Sequence, residues 1–238
     1  MSQLTGIRAC VFDAYGTIFD FASAAARCPD IPDDKRDALT ALWRDKQVQY
    51  TWLRSLQGRY ADFWQVTGEA LDFTLDSLGI ATPARRERLM DLYLTLSAFP
   101  EVRETLRQLR QAGFATAILS NGSPAMLDSA VRDAGLHDLL DAVLSADAVQ
   151  FKTHPRVYDY GLQQLGVRAE QVSFQSSNAW DAFAAASAHG MRVVWCNRYG
   201  QRRERLPCAP DHEVRSLAEL PALLAPPGSR HRMGETTR

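Results

Sequence analysis

The sequence predicts an α/β protein built on a doubly wound, mainly parallel sheet, and three observations predict it. An apolar run, Arg8-Ala9-Cys10-Val11-Phe12, stops abruptly at Asp13-Ala14-Tyr15-Gly16-Thr17, which puts polar side chains at the carboxyl end of a buried strand, where open α/β sheets bind their ligands. From Phe99 onward short apolar runs alternate with helical periods, a pattern that implies parallel strands joined by crossover helices. Between these textures, residues 19–96 show helical periodicity with many aromatics and no convincing strand, so an all-helical insertion interrupts the sheet-forming chain. The expected division is a Rossmann-like core from residues 1–18 and 97–225, a helical domain at 19–96, and a disordered tail at 226–238. The tail is expected because Pro226-Pro227-Gly228-Ser229-Arg230 is polar and rich in breakers.

The insertion has room for three or four helices. Pro32-Asp33-Asp34 supplies a helix start, the run to about Gln57 repeats apolar residues at spacings of three and four, and Gly58 permits a break. A second helix is expected over residues 59–78, ended by Gly79, and another follows Thr82-Pro83. In the core, a helix over 100–112 ends at Gly113 and feeds the strand Ala115-Thr116-Ala117-Ile118-Leu119, which stops at Ser120-Asn121-Gly122. The unit then repeats: helices over 124–134, 156–165 and 179–189 lead to Ala142-Val143-Leu144, Val172-Ser173-Phe174 and Arg192-Val193-Val194-Trp195-Cys196. Asp13, Ser120 and Ser176 each close such a strand.

Composition narrows the class. The 238 residues are 46% hydrophobic and 23% charged, enough for a large core and for two domains. A formal net charge of -1, with Arg interspersed among Asp and Glu, leaves no basic stripe for nucleic acid or anionic lipid, so neither is an expected partner. No run of about 18 apolar residues occurs, and no long apolar segment follows a basic start; a cytoplasmic location is the expectation. Cys10, Cys28, Cys196 and Cys208 lie too far apart for CxxC spacing and read as reduced, buried thiols.

The ordered set Phe12-Asp13-Ala14-Tyr15-Gly16-Thr17, Leu119-Ser120-Asn121-Gly122, Phe151-Lys152 and Ser176-Ser177-Asn178-Ala179-Trp180-Asp181 resembles the haloacid dehalogenase superfamily, and within it the L-2-haloacid dehalogenases. The similarity runs from about Arg8 to about Arg198 and takes in Leu42-Trp43-Arg44-Asp45-Lys46-Gln47 and Tyr50-Thr51-Trp52-Leu53-Arg54-Ser55-Leu56 of the insertion. The resemblance implies that the insertion is an all-helical cap domain and that the substrate is a small L-2-haloacid. It further implies that the product is a D-2-hydroxy acid, that the reaction passes through an ester on Asp13, and that the protein is a homodimer.

Residue chemistry separates this activity from the phosphatases of the same superfamily. A phosphatase uses a second Asp two positions after the nucleophile to protonate an alkoxide; Tyr15 stands there, and halide leaves without a proton. Ser177 stands where the superfamily's magnesium sites resemble a carboxylate position, so no metal and no other cofactor is expected. A magnesium-dependent phosphatase and a non-catalytic scaffold of this fold are the competing readings.

By resemblance, Asp13 is the nucleophile, Lys152 balances its charge, and Arg44 receives the departing halide. Ser120 binds the substrate carboxylate, Asn121 helps hold the halide, and Thr17 bonds near Asp13. Asp181 positions or deprotonates the hydrolytic water, with Ser176 and Asn178 holding Lys152 and the ester oxygens, and Tyr158 stands near the nucleophile. Ala14, Tyr15, Phe63 and Trp180 complete the substrate pocket, and its aromatic walls exclude water. Each residue type also fits a plainer part: strand-end caps for Asp13, Thr17, Ser120 and Asn121, a surface cation or an Asp45 partner for Arg44, a solvated lysine for Lys152. Asn178 and Asp181 likewise suit the first turn of any helix, and the aromatics suit a core. The chain departs from the family pattern at Asp45, at Thr153-His154-Pro155 and at Phe174-Gln175, which puts halide preference and the loop around Lys152 in question.

Overall fold

The computed structural model describes residues 3–206 and 208–227. The chain begins with β1 (Ala9–Phe12), then runs through the helices α1 (Ala22–Ala26), α2 (Arg36–Gln57), α3 (Phe63–Ser77) and α4 (Pro83–Leu94). It continues as α5 (Val102–Gln111), β2 (Ala115–Ser120), α6 (Pro124–Asp133), β3 (Ala142–Ser145) and α7 (Pro155–Leu165). The last elements are β4 (Val172–Ser176), α8 (Ala179–His189), β5 (Arg192–Cys196), β6 (His212–Val214) and α9 (Leu220–Leu223).

All four residues of β1 are buried, and this two-sided apolarity puts the strand at the centre of a parallel sheet. Cys10 and Phe12 face one apolar cluster with Ile118 and Val194, whereas Ala9 and Val11 face another with Leu119, Phe174 and Val193. Two apolar faces require two layers of helices, which makes the sheet doubly wound. The six strands follow the order β3-β2-β1-β4-β5-β6, and every pairing is parallel. The order reverses at β1, so Asp13 leaves the sheet between the ends of β2 and β4, at the crevice where such sheets bind ligands.

The segment between β1 and β2 carries α1 to α4 before α5 returns to the sheet. It leaves and re-enters side by side: the Asp20 N–H donates to the Ser97 carbonyl (2.8 Å) and the Phe99 N–H to the Ile18 carbonyl (3.0 Å). The helix α2 ends at Gly58, whose φ of +63° closes the last turn in the left-handed region. Thr82 caps α4 ahead of Pro83, as its sequence predicts.

Three details differ from the sequence expectation. The helix α3 begins at Phe63 and not near residue 59, because the Asp62 carboxylate accepts the Gln65 N–H (2.8 Å) and fixes the start there. The five-residue α1 and the three-residue edge strand β6 are too short to leave a periodic signal. Cys10, Cys28 and Cys196 are buried as expected, but Cys208 is partly exposed. The expected tail lies outside the described residues from 228 on; just before it, the Ala225 N–H still bonds the Leu4 carbonyl (3.0 Å). Among the described residues no helix is long and apolar enough to cross a membrane.

Candidate active site

The buried carboxylate of Asp13 sits one residue past β1, and two other strand-end segments close on it. The Lys152 ammonium lies 3.1 Å from Asp13 Oδ1 and 2.8 Å from Asp181 Oδ2, so one cation bridges two carboxylates that follow the neighbouring strands β1 and β4. All three side chains are almost fully buried, 7% exposed or less. Thr17 Oγ1 donates to Asp13 Oδ2 (3.3 Å) and accepts the Ser177 N–H (2.8 Å), which ties the turn after β1 to the turn after β4. Asp181, in the first turn of α8, also accepts from Ser176 Oγ (3.1 Å) and from the Tyr158 hydroxyl (2.7 Å).

Burial governs how these groups titrate. For Asp181, desolvation raises the pKa above the ordinary Asp value, the Lys152 charge opposes this, and the Asp13 charge adds to it. For Lys152, desolvation disfavours the ammonium, but the Asp13 and Asp181 charges and hydrogen bonds outweigh it, and the pKa rises. Tyr158 is pushed well above the usual phenol range by burial and by the Asp181 charge. The cluster is therefore a protonated lysine between two acids, with a phenol that keeps its proton. Among the described residues no three or more His, Cys, Asp and Glu side chains gather as a metal site, and the Lys152 ammonium fills the space between Asp13 and Asp181.

Opposite this cluster the inserted helices bring a second cation. Arg44 of α2 borders the same small cavity of about 20 Å³ that Asp13, Lys152 and Asp181 line, space for about one water. Arg44 Nη1 donates to Gln47 Oε1 at 2.7 Å, Nη2 reaches the Tyr15 carbonyl at 3.5 Å, and the guanidinium stands 5.7 Å from the centre of the Phe21 ring. Asp45, the partner offered by the plainer sequence reading, is exposed and is not bonded to it.

Of the expected site residues, Tyr15, Phe63, Ser120, Asn121, Asn178 and Trp180 line the cavity with Asp13, Arg44, Lys152 and Asp181. Thr17, Ser176 and Tyr158 stand behind them, bonded to the two carboxylates. Ala14 is buried, and its carbonyl accepts the N–H groups of Ile18 and Phe19 (2.9 Å each), which shapes the turn and leaves the cavity wall to Tyr15. The hydroxyl of Ser176 turns to Asp181, and Asn178 joins it through its N–H to Ser176 Oγ (3.1 Å). Asn121 Oδ1 accepts the Lys152 N–H (2.8 Å) and so fixes the backbone that carries the lysine.

Four wall residues, Val48, Thr51, Trp52 and Thr153, are not among the site residues expected from the sequence. The first three follow Arg44 at i+4, i+7 and i+8, one face of a single helix, so the period that places Arg44 also places them. Trp52 meets Trp180 edge to face at 4.8 Å between ring centres, joining the insertion to α8 over the cavity.

A parallel sheet whose strand order reverses beside a buried Asp, faced by a Lys from the loop before α7 and a second Asp from α8, points to the class that the comparisons identify. A family model described as haloacid dehalogenase-like hydrolase matches residues 7–189. Curated relatives narrow the class: (S)-2-haloacid dehalogenase 1 of Pseudomonas sp. (strain CBS-3) is 46% identical over 92% of this chain and 96% of its own. The (S)-2-haloacid dehalogenase 4A of Burkholderia cepacia is 44% identical over 94% of this chain and 97% of its own. A solved L-2-haloacid dehalogenase from Xanthobacter autotrophicus, with chloropropionic acid covalently bound, superposes with a TM-score of 0.84 at 38% identity, over 91% of this chain and 98% of that one. The chain belongs to the haloacid dehalogenase-like hydrolases and, within them, to the family of the (S)-2-haloacid dehalogenases.

Proposed function

We propose that the protein is an (S)-2-haloacid dehalogenase that turns an L-2-haloacid into a D-2-hydroxy acid and halide, without a metal. The carrying observation is the pairing across one cavity of a buried Asp13, backed by Lys152 and Asp181, with the Arg44 guanidinium. The substrate carboxylate binds at Ser120. A carboxylate oxygen of Asp13 forms a bond to the carbon bearing halogen as the carbon–halogen bond breaks, with inversion, and the halide leaves with the electron pair toward Arg44. Asn121 faces the same cavity, and its oxygen is engaged by Lys152, so its amide nitrogen is the donor left for the halide. The walls made by Tyr15, Phe63 and Trp180 keep bulk water out of this step.

In the second half-reaction, water attacks the side-chain carbonyl carbon of Asp13. Asp181 accepts one water proton as the new carbon–oxygen bond forms and returns it to the leaving alkoxide, and the Asp13 carboxyl releases the other water proton to solvent, which regenerates the carboxylate. An elevated pKa suits a base that must also give its proton back. Ser176 and Tyr158 aim Asp181, Thr17 aims Asp13, and Asn178 borders the ester. The phosphatase alternative is disfavoured by Tyr15, a phenol pushed well above its ordinary pKa by burial in the position an acid would need.

In this reading residues 19–96 form the cap over a core of residues 1–18 and 97–225, the protein is cytoplasmic, and neither nucleic acid nor membrane is a partner. It is also a homodimer, consistent with Leu53, Leu56 and Tyr60, which are 53%, 85% and 47% exposed along the end of α2 and the loop after it.

The test is halide release from L- and D-2-chloropropionate, with and without EDTA, by wild type and Asp13→Asn. Chloride from the L form alone, unaffected by EDTA and reduced by at least about 10⁴-fold in the variant, is expected. Phosphate release from p-nitrophenyl phosphate only with Mg²⁺ would instead make the protein a phosphatase.

A further inference from the structure

Arg44 differs in its partner from three other arginines of the inserted helices. Arg36, Arg54 and Arg86 each pair with a carboxylate, of Asp33, Glu69 and Asp72. Arg44 alone among these four borders the cavity, and its closest bond is to a neutral amide, Gln47 Oε1, at 2.7 Å. Gln47 is 1% exposed and sits one turn further along α2.

The surroundings fix which end of that amide faces Arg44. Thr67 Oγ1 donates its proton to the Phe63 carbonyl (2.6 Å), so toward Gln47 it can only accept, and Gln47 Nε2 donates to it at 2.7 Å. The Tyr93 hydroxyl takes a second Nε2 contact at 3.1 Å. With its nitrogen committed on α3 and α4, Gln47 turns its oxygen to the guanidinium at 2.7 Å, and the Tyr93 hydroxyl approaches the same oxygen at 3.3 Å. Thr67 is itself locked by the helix it belongs to, and its carbonyl accepts from Trp43 Nε1 at 2.9 Å. The arrangement is a buried polar network whose terminal acceptor is aimed at one cation.

An acceptor orients a guanidinium whether it is charged or neutral, but a carboxylate would also cancel its charge. We infer that Gln47 is a positioning residue: it holds Arg44 toward the cavity through a neutral oxygen, so that an anion leaving Asp13's partner carbon meets an uncompensated positive charge. This rests on the reading of Arg44 as the halide acceptor. Asp45, which follows Arg44 directly, stays in solvent, and the guanidinium is bonded to the amide instead.

Gln47→Glu separates positioning by a neutral group from mere packing, because Glu has nearly the same shape and can still accept from Arg44. Two readouts are needed. Bromide and chloride binding is followed by tryptophan fluorescence, since Trp52 and Trp180 line the cavity, and kcat and KM are measured on L-2-chloro- and L-2-bromopropionate. For Gln47→Glu, halide affinity is expected to fall at least about tenfold, with kcat falling more than KM changes, and the loss is expected to be larger for the chloro than for the bromo substrate. Gln47→Met, which keeps the volume and adds no charge, is expected to weaken halide binding by about three- to tenfold and covers the case in which the Glu variant fails to fold. Wild-type halide affinity and an unchanged chloro-to-bromo ratio in both variants, with the wild type dehalogenating normally, would overturn the inference and leave the dehalogenase reading intact. A wild type that releases no halide from either substrate would sink that reading, and this inference with it.

Discussion

The sheet edge and the inserted helices each deliver a cation to one cavity, and they hold it by opposite means. Lys152 comes from the core, is buried, and lies within 3.1 Å of two carboxylates. Arg44 comes from the insertion, is half-buried, and is steadied by an amide oxygen and a backbone carbonyl. The difference fits the role that the proposed function gives each charge. A cation that must keep two acids together in a dry core needs their charges to offset its desolvation. A cation meant to attract an anion loses its value if a carboxylate already sits on it. On the proposed function, the compensated charge of Lys152 supports the nucleophile and the uncompensated charge of Arg44 receives the halide.

The largest expected effect breaks the core half of this comparison. Lys152→Met would leave Asp13 and Asp181 as two buried carboxylates with no counter-charge, and breaking a buried pair in this way costs roughly 3–5 kcal/mol. For a chain of this size that corresponds to a fall in Tm of roughly 6–20 °C. Activity should be lost as well. Acid should partly restore stability in the variant, because protonating one carboxylate removes the repulsion; thermal melts across an acid pH series check both points. A variant as stable as wild type at neutral pH would show that the bridging ion pair is not the support described above.

Much of that core was readable from residues alone. Apolar runs ending in Asp13, Ser120 and Ser176 announced the strands, and parallel alternation announced that their ends would meet. That Lys152 reaches Asp13 across 139 positions of chain was legible only through the resemblance, since no local pattern encodes a contact at that separation. The insertion was legible as helices but not as a network. Gln47 is a polar residue on the buried side of α2, and its bond to Tyr93 spans 46 positions and needs α4 folded against α2. Val48, Thr51 and Trp52 were available in principle from the helical period once Arg44 was placed, whereas β6 was not, because three residues carry no period.

The second effect is pH dependence, and it should belong to the core. Burial, partly opposed by Lys152 and aided by the Asp13 charge, raises the pKa of Asp181 above the ordinary 3.8. The acid limb of kcat is therefore expected above that value: as pH falls through the raised pKa, Asp181 gains a proton and cannot accept one from water. Lys152 gives the opposite limb. Its folded pKa lies above the ordinary 10.5, so its contribution to stability is fully present below that value and is lost only as pH rises through the raised one. A pH series of kcat for wild type and Tyr158→Phe sharpens the assignment. The hydrogen bond from Tyr158 lowers the Asp181 pKa, so its removal should move the acid limb further up. A limb that stays in place would assign it to a group other than Asp181.

The smallest effect compares one substitution in both regions. Gly58 ends α2 with φ +63°, and a Cβ added there meets nothing within 4 Å. Gly58→Ala should therefore carry only the left-handed backbone penalty, about 1–2 kcal/mol, seen as a drop in Tm of roughly 2–8 °C with dehalogenation unchanged. Gly16 has φ +90° as well, but a Cβ there would lie 2.8 Å from Ser177 Oγ and 3.1 Å from Phe21. Ser177 donates its N–H to Thr17, which donates to Asp13, so Gly16→Ala transmits its strain to the nucleophile and should reduce kcat in addition to Tm. The pair of variants asks whether the same backbone cost stays local at the far end of an inserted helix and spreads at the sheet edge. Equal losses of activity from both would mean that the end of α2 is coupled to Asp13 as tightly as the turn beside it, and the contrast between a rigid catalytic edge and a separately braced insertion would not hold.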